Sequence, residues 1–169
     1  MPRISEGLGV LALAADAALG RPQGAGLSAS IVAAEFVKRL GGTLEAQKDA
    51  YYLSLIRFIG CTITSHESGM LTLGDDQGFA FATTFGDWAD RDDLFKYLKQ
   101  FVALGSPEEE RDAAFNFVCD ILPGAAPDFT AAHCRQAYLL ASRLPISETV
   151  LTSTPYYYAR WDGKIFPFG

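Results

Sequence analysis

The sequence predicts an all-α fold, a single-domain bundle of about seven or eight helices. Three observations predict it. Apolar residues recur at helical spacing along most of the chain. Helix start and stop signals punctuate it: capping serines, a helix-opening proline, paired glycines. The alternating pattern of half-buried strands is nearly absent. With 169 residues, 49% of them hydrophobic and 20% charged, the chain can bury a core in one domain, and disorder is excluded.

The first helix is expected from Ser5 to Ala18. Arg3 and the apolar run from Leu8 to Leu19 look like the start of an export signal. Glu6 precedes that run, Asp16 interrupts it and Ser5 is placed as a cap, so an amphipathic helix is the better reading. After Gly20-Arg21-Pro22-Gln23-Gly24 a second helix is expected near Ser28, with Val32, Phe36 and Leu40 as one buried stripe and Gly41-Gly42 as its stop. A third spans Leu44 to Ile59. Its second half is apolar on nearly every side, which marks it as the central helix.

Past Gly60 the pattern is less regular. A short helix is expected from His66 to Leu73, then a turn at Gly74-Asp75-Asp76. Leu94, Leu98, Phe101 and Val102 mark a helix from Arg91 to Ala103. Ser106-Pro107-Glu108-Glu109 opens another, with a capping serine, proline at the first position and acids in the first turn. It should end at Ile121, before Pro123-Gly124. Further helices are expected from Asp128 to Arg143, and from Ser147-Glu148 toward Tyr158.

The net charge of −6 and a pI of about 4.8 argue against direct nucleic-acid binding, which needs clustered Lys and Arg. No stretch approaches the roughly 20 apolar residues of a membrane span. Cys61, Cys119 and Cys134 form no CxxC pair and no zinc spacing, and read as reduced, buried thiols of a cytoplasmic protein.

Three segments carry a resemblance that spans nearly the whole chain. They are Gly20-Arg21-Pro22-Gln23-Gly24-Ala25, then Leu55-Ile56-Arg57-Phe58-Ile59-Gly60, then the run from Tyr157 through Arg160-Trp161-Asp162-Gly163-Lys164 to Pro167. In order and content they resemble the HD-GYP phosphohydrolase domain. That family has Gly-x-Pro-x-Gly-His, a His-Asp pair, and His-His-Glu-x-Trp-Asp-Gly-x-Gly-Tyr-Pro. The long separation between Phe58 and His133 is similar to a subgroup whose HD-like domain precedes a LuxR-type helix-turn-helix. The resemblance implies an HD-like bundle and metal-assisted hydrolysis of a phosphodiester such as cyclic di-GMP, on ions held by imidazoles and carboxylates.

Position by position, the ligand types are lost. Ala25 stands for the first histidine, Arg57 and Phe58 for the His-Asp pair, and Tyr157, Tyr158 and Ala159 for His-His-Glu. Only His133 matches a family histidine, and Asp162 keeps the Trp-Asp-Gly aspartate. No catalytic residue, metal or cofactor is therefore assigned. The vestigial pocket is expected at Ala25, Arg57, Phe58, His133, Tyr157, Tyr158 and Asp162. The chain ends just after the third segment, where the family continues with more helix, so a truncated domain is expected.

Each residue also has a plainer reading. Arg57 could receive an anion, but a buried pair with Asp16 or Glu67 is the commoner arrangement. Phe58 should fill space the metals would occupy. His66 and Glu67 could substitute as metal ligands, yet the first turn of a helix capped by Ser65 explains them. His133 alone makes no metal site and reads as a hydrogen-bonded helix histidine. The tyrosines could stack on a flat ligand or pack a helix end. The resulting expectation is a regulatory module for an unidentified small ligand or protein partner. A metal-dependent phosphodiesterase using His66, Glu67, His133 and Asp162, and a structural homodimer, are the alternatives.

Overall fold

The computed structural model describes residues 4–160, 162 and 163. Its elements are α1 (Ile4–Ala18), α2 (Ala25–Arg39), α3 (Leu44–Leu55), α4 (Ser65–Leu71), α5 (Asp76–Phe85), α6 (Arg91–Phe101), α7 (Glu108–Ala141) and α8 (Glu148–Ser153). Single 3₁₀ turns lie at Cys61–Thr64 and Thr154–Tyr156. The described residues contain no strand, and the all-helical expectation is borne out. None of the described helices is long and apolar enough to cross a membrane.

Local chemistry sets four of the eight described helix starts. Thr43 accepts from the Ala46 N–H at 3.2 Å, Asp75 from Gly78 at 2.8 Å, Asp90 from Asp92 and Asp93 at 3.1 and 3.2 Å, and Ser147 from Val150 at 3.2 Å. Asp75 also takes the Ala103 N–H at 2.6 Å, so one carboxylate caps α5 and ties down the end of α6. The turn from α1 to α2 needs glycine at two places, because Gly20 and Gly24 have φ of 63° and 86°.

Two apolar cores form. One joins α5, α6 and the first half of α7 through Phe79, Leu94, Leu98, Val118 and Leu122. The other joins α1, the end of α3, the end of α7 and α8 through Leu8, Leu55, Ile56, Ala141 and Val150. α7, about 50 Å long at 1.5 Å per residue, belongs to both and is the spine of the bundle.

Four expectations are corrected. The Val32–Phe36–Leu40 stripe faces outward, at 67%, 62% and 72% exposure. α2 instead buries Gly26 and Ser30, with Ala33, Ala34 and Val37 half-buried beside them, so its backbone lies close to its neighbours. α3 stops at Leu55, and residues 56–60 form a turn, with Ile59 N–H donating to the Ile56 carbonyl at 3.1 Å. The central helix is α7, which runs without interruption through Pro123 and Pro127 instead of breaking into two. Each proline removes one helical N–H donor. The burial of Val118, Leu122, Thr130, His133 and Ala137 on either side holds the helix together despite that. Finally, α5 occupies a region expected to be irregular.

Phe36→Ala should therefore change stability by no more than about 0.5 kcal/mol, whereas Leu98→Ala should cost about 2–5 kcal/mol in urea denaturation. A comparable loss for both would put the α2 stripe in a core.

Candidate functional site

Residues 56–64 are laid directly on α7. Ile56 is 1% exposed and Gly60 is buried. A Cβ on Gly60 would collide with the His133 carbonyl oxygen and lie 2.9 Å from the Ala137 nitrogen, so only glycine permits this approach. It brings Phe58, Cys61 and Thr64 to the face of α7 that carries Phe129 and His133.

His133 is nearly fully buried and engaged at both ring nitrogens. Nε2 is 2.7 Å from the Thr64 hydroxyl and Nδ1 is 2.9 Å from the Tyr158 hydroxyl. One nitrogen donates and the other accepts, and either hydroxyl can complement it. Phe129, one turn earlier, meets the ring edge-on at 4.7 Å. Burial pushes the imidazole down to about 4, so it is neutral near pH 7. The same desolvation raises the Cys61 thiol to about 11 and moves the Tyr157 and Tyr158 hydroxyls well above their usual range. The polar groups here are hydrogen-bonding hydroxyls, a protonated thiol and a neutral imidazole.

The chain beyond α8 closes one side. Tyr157 donates to the Leu53 carbonyl at 2.9 Å, and Tyr158 meets Trp88 edge-to-face at 6.2 Å. Arg160 reaches back to Asp87 at 2.7 Å and binds Asp162 at 2.9 Å. Across from this, Asp76, Phe79, Ala80, Thr83 and Thr84 follow helical spacing and give one face of α5 to the site. Thr83 and Thr84 donate to carbonyls of their own helix. Ser65 and Ser68 come from α4. Together these elements line a solvent-open cavity of about 160 Å³ between the two cores.

Of the residues singled out from the sequence, Arg57, Phe58, His133, Tyr157 and Tyr158 line this one cavity. Ala25 is half-buried at the start of α2 and does not line it. Asp162 is half-buried against Arg160, also off the cavity. His66 and Glu67 are exposed on α4, on the side away from Ser65 and Ser68, and Thr64 rather than Ser65 holds the N-cap position. Trp161 and residues 164–167 of the third segment lie outside the described residues.

The expected pairing of Arg57 with Asp16 or Glu67 is corrected. Asp16, 1% exposed, accepts the Gly26 N–H at 3.1 Å and faces the Arg21 guanidinium at 3.7 Å. Arg21 lies over the Phe58 ring at 3.7 Å, and Arg57 is 4.9 Å from the same ring. Arg57 is exposed, with no described carboxylate in salt-bridge reach. Phe58 is half-buried between the guanidiniums and the cavity, and does not plug it. The cysteines are all free, and only Cys134 is fully buried.

The ligand set does not fit the ions that the resemblance implies. Both nitrogens of His133 are already used, and the same cavity carries a permanent cation at Arg57. Among the described residues no three His, Cys, Asp or Glu side chains converge. Sequence reasoning missed Asp76, Phe79 and Thr83, whose spacing was readable, and Phe129, four residues before His133. Comparisons with protein-family models, with curated proteins and with solved structures find no match for the chain.

His133 gives a signed pH dependence. In the unfolded chain a histidine titrates near 6.5. Between about 4 and 6.5 the unfolded state binds the extra proton, so stability is full above that window and falls as pH drops through it. The loss should reach on the order of 3 kcal/mol by pH 4, in addition to carboxylate effects. Urea melts from pH 4 to 7.5 should show a shallower decline in His133→Gln than in wild type, and parallel curves would mean an exposed, ordinary imidazole.

Proposed function

We propose that this chain is a catalytically degenerate HD-GYP-like domain that serves as a regulatory module by binding a small ligand in the cavity at His133. The role carried by the resemblance lies in signalling or transcription control. One observation supports the reading most strongly. Residues from two of the three motif-like segments, together with His133, meet around one cavity, and they replace metal ligands with aromatic rings, hydroxyls and a guanidinium.

Cavity size bears on the ligand. A dry cavity of about 150 Å³ holds a benzene ring. The cavity, open to solvent on one side, holds a body of about one ring within its 160 Å³. The fallback ligands His66 and Glu67 give the phosphodiesterase alternative no support, since neither lines the cavity. Self-association is a second reading, favoured by the outward apolar face of α2. Sedimentation velocity separates it from the first, because self-association requires a dimer in solution.

Purified protein should carry less than about 0.1 equivalent of iron, manganese or zinc, and should leave cyclic di-GMP intact with added manganese. About one equivalent of metal per chain, together with a linear dinucleotide product, would establish the phosphodiesterase instead.

A further inference from the structure

Two opposite charges line the cavity without meeting. Arg57 presents an exposed guanidinium with no described carboxylate near it. Its neighbour Arg21 is answered by Asp16, which leaves the charge of Arg57 uncompensated. The buried Nη1 of Arg21 also has no hydrogen-bond partner among the described residues. Asp76 enters from the first turn of α5. It is half-buried, and its carboxylate forms no hydrogen bond or ion pair with a described residue. Four aromatic rings line the same cavity: Phe58, Phe79, Trp88 and Phe129. Ser65 and Ser68 also line the cavity, and their hydroxyls are bonded to no described residue.

This combination restricts what can bind. A simple anion would gain Arg57 but meet Asp76, and a simple amine would gain Asp76 but meet Arg57. A neutral apolar molecule would answer neither charge, and covering the half-buried carboxylate of Asp76 is costly. A molecule with a carboxylate and an ammonium on one carbon, and an apolar group on the same carbon, satisfies all three demands. The cavity volume limits the apolar group to about one ring or a branched aliphatic chain.

We propose that the cavity binds a free α-amino acid with an apolar side chain. Its carboxylate faces Arg57, its ammonium faces Asp76, and its side chain sits among Phe79, Trp88 and Phe129. The proposal rests on the cavity being the ligand site of a regulatory module.

The full chain should be titrated calorimetrically and melted with L-phenylalanine, L-leucine and L-methionine. Each should be compared with the matching acid that lacks the amine and the matching amine that lacks the carboxylate. At least one amino acid should raise the melting temperature by about 5 °C or more at a hundredfold excess over its Kd. Its acid and amine analogues should bind at least about tenfold more weakly. Asp76→Asn should erase the preference over the acid and Arg57→Gln the preference over the amine, with circular dichroism showing both variants folded. If the acid binds as tightly as the amino acid and Asp76→Asn changes nothing, the site is a plain anion site and the proposal is overturned. It is equally overturned if none of the three amino acids binds. Should that happen while the protein is metal-free and inert toward cyclic di-GMP, the module reading stands and only the ligand class falls.

Discussion

The contact on which the site depends is the approach of Gly60 to the backbone of α7. No side chain fits between them, because a Cβ would strike the His133 carbonyl. That contact ends α3 early, since a helix continued to Ile59 could not turn its backbone onto α7. It also sets the Cys61–Thr64 turn beside His133, where the Thr64 hydroxyl reaches Nε2 at 2.7 Å. The Tyr158 hydroxyl then takes the other nitrogen, so one buried imidazole joins α7, the turn after α3 and the segment after α8. Both hydrogen bonds are made in a desolvated setting, where an unmatched ring nitrogen would cost about 1–3 kcal/mol. The cavity is what remains beside this junction, between two cores that do not merge.

Charge is placed with similar economy. Asp16 is the most deeply buried acid in the described chain, and it is satisfied by a backbone N–H and a guanidinium. Arg21 therefore has its counter-ion, and its remaining face is spread over Phe58. Arg57 is exposed, lies over the same ring at 4.9 Å from its centroid, and has no described carboxylate in salt-bridge reach. An exposed arginine costs little in itself. Its relevance lies in being a cation without a described carboxylate partner in the cavity that Asp76 also lines. On the far side, Arg160 bridges Asp87 and Asp162, which secures the last described segment against the loop after α5.

The helical class and several boundaries could be read from the sequence because capping is local: Ser147, the expected start of the last helix, accepts from an N–H three residues on. Three features were not readable, each for a physical reason. Periodicity at Val32, Phe36 and Leu40 identifies an apolar face but not what covers it, and the covered face of α2 is built from Gly26, Ser30 and alanines, which carry a weak hydropathy signal. Pro123 and Pro127 are helix breakers by local chemistry, at about 3 kcal/mol each, and packing along α7 outweighs them. Arg57 was expected to pair with Asp16 or Glu67, whereas Arg21 holds Asp16 through a turn whose geometry comes from Gly20 and Gly24. Five of the seven pocket residues chosen from motif order do share one cavity. Asp76, which supplies its opposite charge, lay in a segment expected to be irregular.

Mapping where small molecules bind tests the central claim most directly. Backbone-amide NMR of the ¹⁵N-labelled chain with a set of single-ring fragments should shift amides at Arg57, Ser68, Phe79, Thr83 and His133 together. Amides at Val32, Phe36 and Leu40 should stay in place. Shifts confined to the outer face of α2, with the amides around His133 unmoved, would contradict a ligand-binding cavity at that junction and point to a docking surface instead.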